Sequence, residues 1–323
     1  MRRRDYLLLA GGVMAVPGAA QAQTTPKMLR VGTANVQPRT APQWMAFERR
    51  MAELGYVEGK NFTYDHVQVP NAQAWDTLCR EMVARKPDII VAAGPEQSLK
   101  SARAAAGSLP IVMVAVDFDP IARGHVASLA QPGGNVTGVY FQSTELAAKH
   151  MQLAKEAVPD VVSVAVLHDQ ASAEYFAALQ SAAPRFGLRV VAVDLREWPY
   201  DYKRAIAGLA PQDRKVLIAQ GSPFFFLDRA PLAEIAIQNR MALIGLLRES
   251  VVAGGLMSYG PKITEMFALA AEYVDRIAKG AKPAGLSIRQ PTKFEHCLNL
   301  KTATAIGLTI PPLVLSQADE VIE

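Results

Sequence analysis

Two series of short apolar, β-branched runs, each run separated from the next by a helical pattern, constrain this chain more than any other feature. The first series is Leu29 to Ala34, Phe62 to Val67, Ile89 to Ala93 and Ile111 to Val116. Continuous apolar runs of this length suit strands covered on both faces. Strand, helix, strand in sequence implies right-handed crossovers in a parallel sheet. Between the first two runs, Trp44, Phe47, Met51 and Leu54 mark one face of a helix that Gly55 ends as a left-handed cap.

The second series repeats the scheme: Ser163 to Leu167, Leu188 to Leu195, Val216 to Ala219 and Ala242 to Gly245 as strands, with helices near Ser172 to Phe186, Asp201 to Leu209 and Arg229 to Asn239. The run from Ile89 to Pro95 and the run from Val216 to Pro223 share an apolar strand that ends in Gly and Pro before a helix. Duplication and convergence explain this likeness equally well. The expectation is an α/β protein of two doubly wound parallel-sheet lobes. In such sheets the binding crevice lies beyond the carboxyl ends of the strands, so two facing sheets can line one cleft that closes by a hinge.

The first 22 residues read as an export signal. Arg2, Arg3 and Arg4 precede an apolar core from Tyr6 to Ala15, and Ala20, Gln21 and Ala22 supply a small-x-small pattern with cleavage after Ala22. The core has about half the ~20 residues needed to span a bilayer. The arginine pair with Tyr6 and Leu7 resembles a twin-arginine signal with Tyr where Phe is usual, which leaves the export route open. A periplasmic location is expected, away from cytoplasmic nucleotides.

Without Arg2, Arg3, Arg4 and Asp5 the net charge falls from +4 to +2, and no basic block is present, so nucleic-acid and membrane-surface binding have no electrostatic support. Cys79 and Cys297 lie 218 positions apart and read as buried thiols, with one disulfide as the alternative. The five histidines, His66, His125, His150, His168 and His296, show no metal-ligand spacing, and surface or capping roles are expected for them. No cofactor, metal or catalytic residue is expected, since the nucleophile-elbow, phosphate-loop, dinucleotide and zinc-protease motifs are missing. A cofactor-independent racemase with one Cys per lobe is the enzymatic alternative, but Cys79 falls in a helical pattern and Cys297 in a strand-like run rather than in strand-end loops.

Stretches of the carboxyl third, with further matches earlier in the chain, carry a resemblance. Ala253 to Pro261 (AGGLMSYGP), Tyr273 to Ile277 with Lys279 to Pro283, Gln290 to Glu295, Gln131 to Gly138 (QPGGNVTG), Glu156 to Pro159 and Asn299 to Pro312 (NLKTATAIGLTIPP) resemble the ABC transporter substrate-binding protein family that includes tryptophan- and tyrosine-binding TrpX-like members. The resemblance covers essentially the whole mature chain. It implies a type I periplasmic-binding-protein fold with three hinge crossovers: residues 28–141 and 257–284 in one lobe, 142–256 and 285–323 in the other. It also implies a monomer that binds a small-molecule ligand, an amino acid or related compound, and presents it to an ABC permease. An extracytoplasmic sensor for a membrane receptor is the alternative use of the same cleft.

On that pattern the ligand meets strand-end loops. Asn35 is a hydrogen-bonding candidate or a turn former. Gly94, Glu96 and Gln97 open a helix, where Glu96 either caps the helix or faces the cleft and favours an amine-bearing ligand. Alternation along an extended stretch leaves one of Asp117 and Asp119 for the ligand, and Asp117 is the candidate for an ammonium group. Tyr140 and Phe141 on the first crossover stack on a ring or pack the hinge. From the second lobe come His168, Asp169, Gln220, Ser222, Glu249, Ser258 and Tyr259, while Phe224, Phe225 and Phe226 cannot all face one way.

Overall fold

The computed structural model describes residues 28–323, so the expected signal and its cleavage point lie outside the described residues. From the amino end the chain forms β1 (Leu29–Asn35), α1 (Pro42–Glu53), β2 (Phe62–Gln68), α2 (Trp75–Ala84), β3 (Ile89–Gly94), α3 (Glu96–Ala106), β4 (Ile111–Val116) and β5 (Val136–Phe141). These strands make one parallel sheet in the order β2-β1-β3-β4-β5. In β3 and β4 nearly every side chain is buried because helices cover both faces, the condition under which a strand reads as an unbroken apolar run.

The second sheet is built from α4 (Ala147–Ala157), β6 (Ser163–His168), α5 (Ala173–Ala182), β7 (Arg189–Asp194), α6 (Tyr202–Ala207), β8 (Val216–Ile218), α7 (Pro223–Leu227), α8 (Arg229–Gln238), β9 (Ala242–Gly245), α9 (Arg248–Val252) and β10 (Met257–Pro261). After α10 (Ile263–Ala278) come β11 (Phe294–Asn299), α11 (Leu300–Ile306), α12 (Pro312–Ser316) and β12 (Glu320–Ile322). The order is β12-β11-β10-β9-β8-β6-β7, and only β10 with β11 is antiparallel. Among the described residues no helix is long and apolar enough to cross a membrane.

The chain passes between the sheets three times: after β5, after β10, and between Arg289 and Phe294. Helix α10 returns to the first sheet, where Phe267, Ala270 and Val274 join Trp44, Phe47, Val91 and Val112 in one core. The opposite face carries Trp75, Cys79, Met82 and Leu99.

Two expected boundaries shift. Residues 257–261 stay in the second sheet, because β10 pairs with both β9 and β11. Residues 286–289 lie along the first sheet instead of the second: Arg289 N–H donates to Gly138 C=O, and Tyr140 N–H donates to Arg289 C=O, each at 3.0 Å. The expected helix from Ser172 to Phe186 is α-helical only to Ala182. Pro184, which has no N–H to give, tightens the rest into a 3-10 turn. The surface or capping role expected of the histidines fails for His150 and His296, which are 0% and 3% exposed and bonded to backbone carbonyls.

Candidate ligand-binding cleft

The lobes meet where Arg123, after β4, pairs with Glu174 of α5 and where Phe226, in α7 after β8, packs on the core of the first lobe, and most of the expected site residues fall at or just after the carboxyl ends of β1, β3, β4, β6, β8 and β9. Several are committed to their own lobe. Asn35 donates from Nδ2 to Ala93 C=O (2.8 Å) and accepts at Oδ1 from Gln37 N–H (2.9 Å), which pins the turn after β1. Gln97 is exposed and turns its amide to Ser101 Oγ at 3.0 Å. Asp169 accepts from Tyr200 Oη (2.8 Å), Ser222 Oγ (2.6 Å) and Ser172 N–H (2.8 Å). With three donors it acts as the anchor of the β6, β7 and β8 loops. His168 pairs with Asp194 at 3.0 Å and packs on Phe176.

Tyr140 and Phe141 point to opposite faces of β5, into separate cores, and Phe141 lies 6.2 Å from Phe294. The three consecutive phenylalanines divide as the sequence required. Phe224 stacks on Trp198, Phe225 enters the core of the second lobe, and Phe226 packs against the core of the first lobe with Arg229 4.8 Å from its ring. On β10, Ser258 is fully buried and Tyr259 stacks on Phe294.

Asp117 departs from the extended geometry expected of it. Its φ is +63°, a left-handed backbone that Asp tolerates better than most residues, so simple alternation does not set its direction. Its Oδ1 accepts from Ser143 N–H at 2.8 Å, tying the end of β4 to the first crossover. Asp119 accepts from Ile121 and Ala122 N–H and is a turn residue, as expected. Burial pushes the Asp117 carboxyl above its ordinary value, and the bond from Ser143 offsets this only in part. Glu96 behaves otherwise. Burial alone would raise its carboxyl, but bonds from His125 (2.9 Å) and Lys100 (3.1 Å) hold it below the usual range.

Buried side-chain polar atoms without a partner occur at several strand ends, as well as at Ser143, Glu156, Ser258 and His296. Those of Gln43 and Trp44 (first turn of α1), Ser98 (first turn of α3), Gln220 (after β8) and Glu249 (first turn of α9) all lie at the carboxyl ends of strands. Each such atom costs about 1–3 kcal/mol unless a group from outside the chain satisfies it. Gln220 is 2% exposed, and neither atom of its amide is bonded. Its neighbour Gly221 (φ +80°) is required there, since a Cβ would stand 2.9 Å from that of Tyr175. Beside Glu249 a groove of about 430 Å³ straddles the lobes between Pro42 and Ile263 on one side and Arg229 and Val252 on the other. Burial raises the Glu249 carboxyl as well.

Of these residues, Gln43, Trp44 and Ser98 are not among the candidates that the sequence names. Trp44 sits on the apolar face that was read correctly as core, and nothing in a periodic pattern shows that an indole N–H lacks an acceptor.

Comparison with known proteins gives this geometry a context. A curated tyrosine-binding protein from Clostridioides difficile (strain R20291) is 24% identical over 267 residues, 81% of this chain and 75% of that protein. A crystal structure of a conserved domain protein from Vibrio cholerae superposes with a TM-score of 0.83 at 24% identity, covering 91% of this chain and all of that one. An ABC domain from Streptococcus pneumonia in complex with L-Trp superposes with a TM-score of 0.81 at 21% identity, covering 92% of this chain and all of that one. These likenesses establish the fold of periplasmic binding proteins. The family model described as ABC transporter substrate binding protein matches residues 44–322, essentially the whole two-lobed body. This chain therefore belongs to the ABC transporter substrate-binding protein family, whose members serve importers outside the cytoplasm.

Proposed function

We propose that the protein is the periplasmic solute-binding component of an ABC importer, exported with cleavage after Ala22, acting as a monomer and delivering an amino acid or related compound to a membrane permease. The amide of Gln220 carries the reading, because a buried donor and acceptor pair at a strand end needs a polar partner from outside the chain. Ser98 Oγ and Trp44 Nε1 supply further contacts, and Asp117 supplies the counter-charge for an ammonium group. The relatives named for tyrosine and bound to L-Trp support an amino acid as the ligand class. The two thiols give no support to a racemase: burial raises both, whereas a thiolate base needs the reverse.

The test is calorimetric titration of ligand-free protein lacking residues 1–22 with L-Trp, L-Tyr and the other amino acids, beside a Gln220→Leu variant. Saturable binding by at least one amino acid, weakened tenfold or more by Gln220→Leu, is expected. Folded protein that binds none of them would sink the amino-acid assignment. Unchanged affinity in Gln220→Leu would remove Gln220 from the site.

A further inference from the structure

Arg123 stands between two glutamates that begin helices of opposite lobes. It lies in the turn after β4, in the first lobe, and its guanidinium is paired with Glu174 in the first turn of α5, in the second lobe. The same guanidinium lies 3.8 Å from Glu96, the first residue of α3. Each glutamate lies in the first turn of its helix, a favourable place for a carboxylate, one in each lobe, with the Arg123 guanidinium between them.

Glu96 is held firmly. Arg103 Nη1 donates to His125 Nδ1 at 2.8 Å, so the other ring nitrogen, Nε2–H, donates to Glu96 Oε1 at 2.9 Å. Lys100 Nζ adds a contact at 3.1 Å. The first-lobe side of the bridge is therefore rigid, and Glu174, with a half-exposed side chain, is the side that leaves when the lobes part.

We propose that Arg123 is a clasp across the mouth of the cleft, which holds the lobes together through Glu96 and Glu174 and sets how readily the protein opens. The proposal rests on the two-lobed cleft that closes by a hinge, and not on the identity of the ligand. Exposed pairs of this kind shift an equilibrium by about 2- to 5-fold, and salt screens them, so the clasp trims the open population without locking it.

The experiment measures lobe separation without ligand. Spin labels at Lys60→Cys and Gln212→Cys, exposed positions at the sheet ends away from the cleft, report the distance between lobes, while the buried Cys79 and Cys297 stay unlabelled. In low salt, Glu174→Gln and Arg123→Gln are each expected to raise the ratio of open to closed protein about 2- to 5-fold. The parent should approach the same ratio in 1 M NaCl. Lys100→Gln, which touches only the first-lobe side, should leave the ratio unchanged. Distances in Glu174→Gln that match the parent, a parent insensitive to salt, or a Lys100→Gln effect as large as that of Glu174→Gln would each overturn the clasp. None of these outcomes bears on whether an amino acid binds.

Discussion

The hydroxyl of Tyr175 donates to Nδ1 of His150 at 2.8 Å, and the opposite ring nitrogen of His150 donates to the carbonyl of Tyr259 at 2.6 Å. Both bonds require a neutral imidazole with its hydrogen on Nε2. A buried ring thus joins the hinge strand β10 to α5, the helix that carries Glu174.

This ring makes stability fall in acid. Burial lowers the His150 pKa to about 4, against 6.5 in an unfolded chain. Below pH 6.5 the unfolded state takes up a proton that the folded state refuses. The contribution is therefore complete above pH 6.5 and lost as the pH falls towards 4, by about 3 kcal/mol in all. Urea unfolding of His150→Gln should show a shallower decline between pH 7.5 and 4.5 than the parent. Some decline should persist, since burial also lowers His66 and His296. Equal slopes in variant and parent would contradict the assignment.

Removing an unsatisfied amide should stabilise the empty protein while harming its function. Gln220→Met keeps the volume and deletes two unbonded polar atoms. An increase of about 1 kcal/mol in unfolding free energy is expected, with loss of ligand-induced thermal shift. Destabilisation by a similar amount would mean that the amide is already bonded.

Asp117→Asn separates charge from shape. The amide oxygen still accepts from Ser143 N–H and the left-handed backbone still suits the residue, so the fold should persist. Affinity for an amine-bearing ligand should drop at least tenfold, whereas an analogue without the amine should bind both forms alike. The ammonium role fails if the amine-bearing ligand loses nothing.

The two thiols should be silent in the folded protein. Cys79 and Cys297 are 1% and 0% exposed, sit in different lobes, and are pushed up to about 11 and about 12 by burial. A thiol reagent at pH 8 should titrate two sulfurs in denaturant and none in native protein on the minute scale. Rapid native reaction at either position would show local opening.

Gly138→Ala should be severely destabilising, by about 3 kcal/mol or more. Its φ is +135°, and a Cβ would lie 2.1 Å from the backbone oxygen of Met113 on the neighbouring strand. A melting temperature within a degree of the parent would contradict this close packing of β4 and β5.

The inner strands of each lobe were legible because strands covered on both faces must be apolar throughout, as in Ile111–Val116, while the edge strands β2 and β7 carry exposed and polar positions among their β-branched and aromatic residues. Helix α10 turns Ile263, Phe267, Val274 and Ile277 into the core of the first lobe. Lobe membership near the hinges was not, because β10 and residues 286–289 are placed by backbone hydrogen bonds to strands far away in sequence. The cleft was legible as a set of loops but not as directions. Asn35 and Asp169 look the same in sequence whether they face a ligand or bond to their own lobe. Arg123 and Glu174 lie 51 positions apart on different lobes, and no local pattern links them.

The return of α10 to the first sheet also decides when that lobe can fold during synthesis. A nascent chain that has reached Phe141 contains all five strands of the first sheet but not Phe267, Ala270 or Val274, which cover one of its faces. Until residues 263–278 emerge, Trp44 and Phe47 of α1, with Val91 and Val112 of the sheet, lack the α10 side chains that cover them, and the incomplete lobe exposes apolar surface. Neither lobe can thus be released as a finished unit by a single cut: the first core waits for α10, and the second for α11 and α12.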